Sequence, residues 1–390
     1  VMGAIGYRAF TDLQTSEVPA AEPSIAAATD MPVLAVLPFS AEGGEGDSAL
    51  FAEGVHEDLL SQLSRIGSLQ VISRSSVEAF RDTRKTARAI GLELGASVVL
   101  EGVIRVLRDR IRISAQLIDA RTDALVWAEN FDRPLTTKNL YGVQREISQS
   151  IAAALSTELT QEEQNQLALI PTQSMAAYRV YRTATGGFDA SMSKPEFIEA
   201  LERAVELDPN FVQALAELSG AYSLRARRSS ADSQAQMERA EELIDRLNVL
   251  APGSVDHLFA QAYYVYFVLS DYPRALALAE IALEKSPSNL RLLQLKSWIQ
   301  RRTADLDGRA ATLRRMMVLD PMQPAFRRSL LNTLYLQHRY DELWSLMTPQ
   351  DAGDPALAWP YAMLSVRHME NFEERLDALG AALERNPSPD

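Results

Sequence analysis

The stretch FIEALERAVELDPNFVQALAELSGAYSLRARR (residues 197–228) decides how most of this chain folds. Phe197, Leu201, Ala204 and Leu207 lead up to Pro209 at helical spacing, and Leu215, Leu218 and Tyr222 follow it on one face of a second helix. Proline supplies no N–H and cannot continue a helix, so Pro209 marks the turn of a helical hairpin. The same punctuation returns at Pro252, Pro287, Pro321 and Pro387, with gaps of 43, 35, 34 and 66 residues, the last close to two periods. Apolar or small residues precede each proline where two helices must approach: Ala240, Ile244, Leu247 and Leu250; then Ala275, Ala279 and Ala282. Arg375, Leu379, Ala382 and Arg385 occupy those places before Pro387, as suits a terminal unit that faces water. The reading predicts five or six hairpins over residues 174–390, interrupted by a polar insertion around Arg227 to Gln234 and a phase break from Pro349 to Pro355.

A degenerate period of about 34 residues resembles the tetratricopeptide repeat. The resemblance implies a right-handed solenoid whose concave groove is lined by the first helix of each hairpin. Carrying the phase from each proline places Phe259, Tyr263 and Tyr266 in that groove, then Arg291, Gln294, Trp298 and Arg301, then Arg328, Asn332 and Tyr335. Aromatic rings interleaved with arginine suit an extended protein or peptide partner with an acidic or carboxylate end. The plainer alternative is that Tyr263, Tyr266 and Trp298 only pack between hairpins.

Composition narrows the function. A chain of 390 residues with 47% hydrophobic content can bury two or three cores. A formal charge of −13 argues against nucleic-acid binding, which needs a clustered surplus of Lys and Arg. One local surplus exists: Arg291, Lys296, Arg301, Arg302, Arg309, Arg314, Arg315, Arg327 and Arg328 outnumber Asp305, Asp307 and Asp320. It reads either as a solvated face or as a site for an acidic peptide. Without cysteine, disulfides and thiolate metal sites are excluded. His56, His257, His338 and His368 are isolated, and His56-Glu57-Asp58 on a helix reads as a capping or surface group rather than a metal site. Gly43-Gly44-Glu45-Gly46 lacks the lysine of a phosphate loop and is acidic. No cofactor, metal or catalytic constellation is expected.

Residues 33–165 change character. VLAVLPF (33–39) and LQVIS (69–73) read as strands, with a helix between them carrying Leu50, Val55, Leu59, Leu60 and Leu63. A second helix over 84–94 ends at Gly95. SVVLEGVIRVL and RIRISAQLIDA form a hairpin about Arg108-Asp109, ALVWAENFD adds a strand, and Leu140, Val143, Ile147, Ile151 and Leu155 mark a closing helix. The order predicts an α+β unit with a mixed sheet, followed by an all-α solenoid. Ahead of it, residues 1–32 open on the apolar VMGAIGYRAF and continue as an Ala/Pro-rich tether. That opening is too short to span a bilayer and reads either as the end of an upstream membrane helix or as an unstructured terminus.

The strings VLPF, FAEGVHEDLLSQLSRIGSLQVISRSS and LGASVVLEGVIRVLRDRIRISAQLIDARTDALVWAENFDR resemble the TolB amino-terminal-like domain. They depart from it at Arg121-Thr122-Asp123-Ala124, where the family has Thr-Gly. That domain commonly precedes tetratricopeptide repeats in bacterial membrane-anchored proteins with a class III adenylyl or guanylyl cyclase domain, or a CadC-type winged helix, on the cytoplasmic side. The resemblance implies a non-enzymatic sensory or scaffolding region on the periplasmic side of the inner membrane, acting through a protein or peptide partner and reaching the membrane only through an upstream helix. The alternatives are the C-terminal regulatory part of a nucleotide cyclase, a periplasmic assembly factor, and a cytoplasmic location.

Overall fold

A computed structural model describes residues 31–42, 47–185, 192, 194–228 and 233–348, and, near the end, 351, 357, 360, 361, 363 and 364. The tether, the loop Gly43 to Gly46, the centre of the 227–234 insertion, most of the phase break and the hairpin before Pro387 lie outside them.

The run VLAV forms β1 (Val33–Val36), which pairs in parallel with β3 (Gln70–Val71) on one side and β4 (Val98–Leu107) on the other. A strand held centrally in a parallel arrangement is covered on both faces, which explains its unbroken apolar sequence. Leu34 and Val36 face a core closed by α1 (Asp47–Leu63) and α4 (Thr137–Ala154), while Ala35 and Leu37 face a second core under α3 (Ala87–Leu94). β4 continues antiparallel to β5 (Arg110–Asp119), and β5 to β6 (Ala124–Pro134), giving the order β3-β1-β4-β5-β6; the short β2 (Ser40–Ala41) pairs with β4. The expected alternation holds on β5, where Ile111, Ile113, Ala115 and Leu117 are buried and Arg110, Arg112 and Gln116 are exposed. Arg108 takes the hairpin's left-handed position at φ +55°, and Asp123 takes the next at φ +56°. There the Asp119 carboxylate accepts from the amides of Arg121 and Thr122, so the departure from Thr-Gly still closes a turn.

Two local expectations change. The strand expected over 69–73 is cut to two residues because the Ser73 hydroxyl accepts from the Ser76 amide and starts a short helix, α2 (Arg74–Glu78). The helix expected from 84 starts at Ala87, capped by the Thr86 hydroxyl, and ends as anticipated on Gly95 at φ +67°. The sequence reading also passed over α5 (Gln161–Leu167), whose Thr160 and Glu163 form a reciprocal capping box.

From α6 (Met175–Thr185) onward the described chain is helical: α7 (Pro195–Leu207), α8 (Val212–Arg228), α9 (Ser233–Leu250), α10 (Val255–Tyr264), α11 (Tyr272–Lys285), α12 (Leu290–Arg302), α13 (Leu306–Leu319), α14 (Pro324–Leu336) and α15 (Tyr340–Leu346). A single π turn over Val265–Leu269 extends α10. Pro209, Pro252, Pro287 and Pro321 each stand two residues past the end of a helix, α7, α9, α11 and α13 respectively. Each helix packs on its sequence neighbour, and α8 also packs on α10, two along. The small residues lie at these crossings: Ala204, Ala240, Ala275, Ala279 and Ala282 are all fully buried.

The Pro209 turn rests on the segment that joins the two parts, and the elements around Pro252, Pro287 and Pro321 rest on the α+β part. The Thr172 hydroxyl donates to Asp208, Arg65 lies 3.6 Å from Asp256, and the Ser288 hydroxyl donates to the Leu69 carbonyl at 3.1 Å. The Ser73 amide donates to the Leu319 carbonyl at 2.6 Å, and the Asp320 carboxylate accepts from the hydroxyls of Ser75 and Ser76. From Asp256 onward the helical array is thus seated against the ends of α1 and β3 and against α2.

Candidate functional site

Helix α1 turns most of its apolar side into its own part's core, with Phe51, Val55, Leu59 and Leu63 fully buried. Asp58 interrupts that stripe, seven residues after Phe51 and three after Val55, and is only 2% exposed. A carboxylate there must find compensation, and α6 and α4 supply it. Arg182 donates to Asp58, the Tyr178 hydroxyl donates to it at 2.9 Å, and Gln144 Nε2 donates at 3.0 Å. Gly54 makes the approach possible, since a Cβ there would stand 2.5 Å from the Tyr178 hydroxyl oxygen. Burial pushes the Asp58 carboxyl up, against the pull of Arg182 and of these hydrogen bonds. Burial likewise disfavours the Arg182 charge, and Asp58 more than offsets it, holding the guanidinium above its ordinary value.

The next residue, Glu57, accepts from Arg74 of α2, which also bonds Glu53. Burial pushes Glu57 to about 7, with Arg182 pulling down and Asp58 adding to the rise. Across the junction, Arg291 of α12 pairs with Glu217 of α8 and lies 4.6 Å above the Phe259 ring. These charged groups line two adjoining cavities of about 680 and 350 Å³. The smaller is bounded by Ser64, Ser75, Gln213, Asp256 and Ser288 among others, and the larger by an aromatic wall of Phe197, Tyr263, Tyr266, Phe267 and Trp298. The space is therefore closed on one side by the α+β part and on the other by the helices.

The expected groove residues divide. Tyr263, Tyr266, Arg291, Gln294, Trp298 and Arg301 line the larger cavity, and Phe259 joins Arg291 along the smaller. Tyr263 and Tyr266 also pack as core, 3% and 6% exposed, with Tyr266 stacked on Trp298 at 6.3 Å. The two alternatives read from the sequence coexist: the rings hold the helices together and present their edges to the cavity. Arg328, Asn332 and Tyr335 line neither cavity; Arg328 and Asn332 are exposed and Tyr335 packs on Tyr340.

The basic run of 290–330 is not one face. Lys296 pairs with Glu280 at 2.7 Å, Arg314 with Glu342 and Arg327 with Asp351 at 2.7 Å, while Arg315 donates to the Pro287 carbonyl at 2.6 Å. His56 is neither a cap nor a surface group: it is fully buried, with Nε2 2.9 Å from the Val36 carbonyl, and burial lowers it to about 4. Glu57 and Asp58, expected with His56 as a capping or surface group, are instead paired with Arg74 and Arg182 inside the junction, and Arg74, Tyr178, Arg182 and Glu217 carried no signal in the sequence. The one visible signal was Asp58, a charge inside an apolar stripe.

Among the described residues no helix is long and apolar enough to cross a membrane, and no cluster of His, Asp and Glu is placed to hold a metal. Residues 29–150 match the family described as HilA/YgeH-like transcriptional regulator, second domain. A protein of Rhizobium meliloti (strain 1021) named "Putative adenylate cyclase 3" is 37% identical over 191 residues, 48% of this chain and 32% of that protein. The chain thus spans about a third of the length of this curated relative. Among solved structures, TolB from Acinetobacter baumannii is similar at 18% identity and TM-score 0.25, over 32% of this chain and 28% of that one. Lipoprotein GNA1162 from Neisseria meningitidis is similar at 15% identity and TM-score 0.25, over 33% of this chain and 99% of that one. The chain is similar, in its α+β part, to a domain of transcriptional regulators and, over about half of its length, to a protein named as a cyclase.

Proposed function

We propose that this chain is a non-enzymatic sensory or scaffolding region of a bacterial membrane-anchored signalling protein, whose helices form a tetratricopeptide-repeat solenoid that binds a protein or peptide. The likeness to a regulator domain and to a protein named as a cyclase supports a signalling or regulatory role. The prolines two residues past the ends of alternate helices, with alanine at the crossings, support the repeat reading. One observation carries the functional part: the cavity wall is shared, so a partner in the groove touches the helices and the α+β part at once. Arg228 and Arg301, which form no ion pair among the described residues, lie at that wall and favour an acidic partner.

The relative's name favours a closely related second reading, the regulatory part of a class III nucleotide cyclase whose catalytic domain lies elsewhere in the protein. Anchoring and a periplasmic location rest on the apolar opening and the tether that precede β1. A topology reporter fused after residue 390 in the native cell tests them: a reporter active only in the cytoplasm rules out export. In pull-downs, Arg228→Glu with Arg301→Glu is expected to lose the native partner at unchanged thermal stability. Retention of the partner by this variant removes the groove from the proposal.

A further inference from the structure

Strand β6 stands at the end of the sheet, and among the described residues it pairs on one side only, with β5. The ladder between them shows which backbone groups of β6 are open. The Leu135 amide donates to the Asp109 carbonyl at 2.7 Å, just beyond the pair of Arg110 with Pro134. Hydrogen-bonded pairs alternate along an antiparallel ladder, so they fall on Ile111 with Arg133, Ile113 with Phe131, Ala115 with Glu129 and Leu117 with Trp127. The N–H and C=O groups of Ala128, Asn130 and Asp132 therefore point away from β5. A register shift between Leu117 and Ile118 closes this run at one end. At the other, Pro134 has no N–H, and its carbonyl already accepts from the Thr136 amide and from Asn139 Nδ2. A bare edge of this kind is a template for a further strand.

The side chains along the run indicate which strand fits. Glu129 and Arg133 lie on the same side of β6 as the buried Phe131, yet both are exposed, so α4 leaves the edge uncovered there. They carry opposite charges at equal distances from Phe131. Arg133 is held loosely within its own chain, 3.5 Å from Glu146 and 3.3 Å from the Asp132 carbonyl. On the other side of the strand, the Asn130 carboxamide oxygen accepts from the Ser114 hydroxyl at 2.5 Å, which leaves its N–H groups as donors. The neighbouring Asp132 carboxylate is an acceptor, held by Arg110 and Arg112. Each feature is matched by the same strand turned end for end. An antiparallel copy of β6 centred on Phe131 sets Glu129 opposite Arg133 twice, and Asn130 opposite Asp132 twice, with donor facing acceptor. Moving the centre by one residue sets Glu129 opposite Phe131 or Leu135 instead, and both ion pairs are lost.

We propose that two copies of this chain pair through β6, antiparallel about a two-fold axis at Phe131, with Glu129 against Arg133 and Asn130 against Asp132. The exposed Leu125 and Val126 lie at the rim of that contact. An interface of a few residues per strand is small, so the pairing is reversible and depends on concentration. No residue of β6 lines either cavity, so the contact leaves the groove open and does not depend on what the groove binds.

Sedimentation equilibrium of the full chain from about 10 to 500 µM is expected to show monomer and dimer in exchange, with Kd between about 10 µM and 1 mM. Glu129→Arg and Arg133→Glu are each expected to weaken association about tenfold or more at unchanged circular dichroism, because like charges then face each other. Mixed together, these two variants are expected to regain the parental affinity, since every arginine again meets a glutamate; misfolded variants would not. The chain has no cysteine, so introduced thiols report directly. Glu129→Cys mixed with Arg133→Cys is expected to form a disulfide dimer on oxidation, their Cα atoms about 4.5 Å apart in a non-hydrogen-bonded pair. Either variant alone sets its two thiols four residues out of register, about 14 Å apart, and is expected to stay unlinked. A monomer at every concentration would leave β6 to a strand of another protein and overturns the proposal. Equal linking in the mixed and single cysteine samples, or no recovery on mixing the charge variants, overturns it as well.

Discussion

Tyr178 and Tyr181, one turn apart on α6, belong to different hydrophobic cores. Tyr178 stacks on Phe51 at 6.2 Å and meets Tyr141 edge-on at 6.0 Å inside the α+β core, whereas Tyr181 packs on Phe211 at 4.8 Å in the helical core. A helix that serves two cores ties their stabilities together.

The first expectation is cooperative unfolding across that seam. With Trp127 of β6 or Trp298 of α12 kept as the reporting tryptophan, urea unfolding is expected at the same midpoint for both. Gly54→Ala, whose Cβ meets the Tyr178 hydroxyl at 2.5 Å, is expected to lower both midpoints together, by about 1–3 kcal/mol of overpacking. Two separated midpoints would show that α6 does not couple the parts.

Asp58 and Arg182 give a second test. Asp58→Ala leaves a buried guanidinium without its carboxylate and is expected to cost about 3–5 kcal/mol in chemical denaturation. Asp58→Leu combined with Arg182→Met removes both charges and is expected to recover much of that loss. A single and a double variant of equal stability would place the cost in packing, not in charge.

The third test is the pH dependence through Glu57. Its folded value of about 7 lies above the ordinary 4.5, so between those limits the native state holds more protons than the unfolded chain and stability falls as pH rises. Asp58, also raised by burial, acts in the same direction. His56, lowered to about 4, acts oppositely, favouring the native state as pH rises from about 4 towards 6.5. Relative to the parent chain, Glu57→Gln is therefore expected to have a slope of stability against pH more positive by up to about 1.4 kcal/mol per unit between pH 4.5 and 7. Parallel pH profiles for the two proteins would contradict it.

Asp320 supplies the fourth. Its carboxylate accepts two serine hydroxyls from α2 at the turn of Pro321, and the Ser76 hydroxyl in turn accepts from the Met322 amide at 2.9 Å. Asp320→Ala is expected to cost about 1.5–3 kcal/mol and to speed amide exchange selectively over residues 73–78. Exchange that rises only within α13 and α14 would mean that the turn does not hold α2.

Much of the architecture was legible because it follows from local periodicity. The alternation on β5, the left-handed stop at Gly95 and the prolines two residues past α7, α9, α11 and α13 are short-range consequences of residue type. The misread pieces were also local. Ser73 and Thr86 moved two boundaries through single hydroxyl caps, which a hydrophobic pattern does not register. The groove was legible in part: repeat phase put Tyr263, Arg291 and Trp298 on one wall, but it carried on to Arg328 and Asn332, which stand away from the cavities. Phase predicts which side of a helix faces inward, not where another part of the chain closes the space.

The sequence by itself determined the two kinds of structure and their order, because helix, strand and turn preferences are set by residues a few positions apart. Only the tertiary structure decided that the chain around Pro252, Pro287 and Pro321 seats on the sheet-bearing part. It alone brought Glu57, Arg182, Glu217 and Arg291 together at one junction. Those partners are separated by up to 234 residues along the chain, Glu57 to Arg291, and their pairing is fixed by the burial of charge that must be compensated in space.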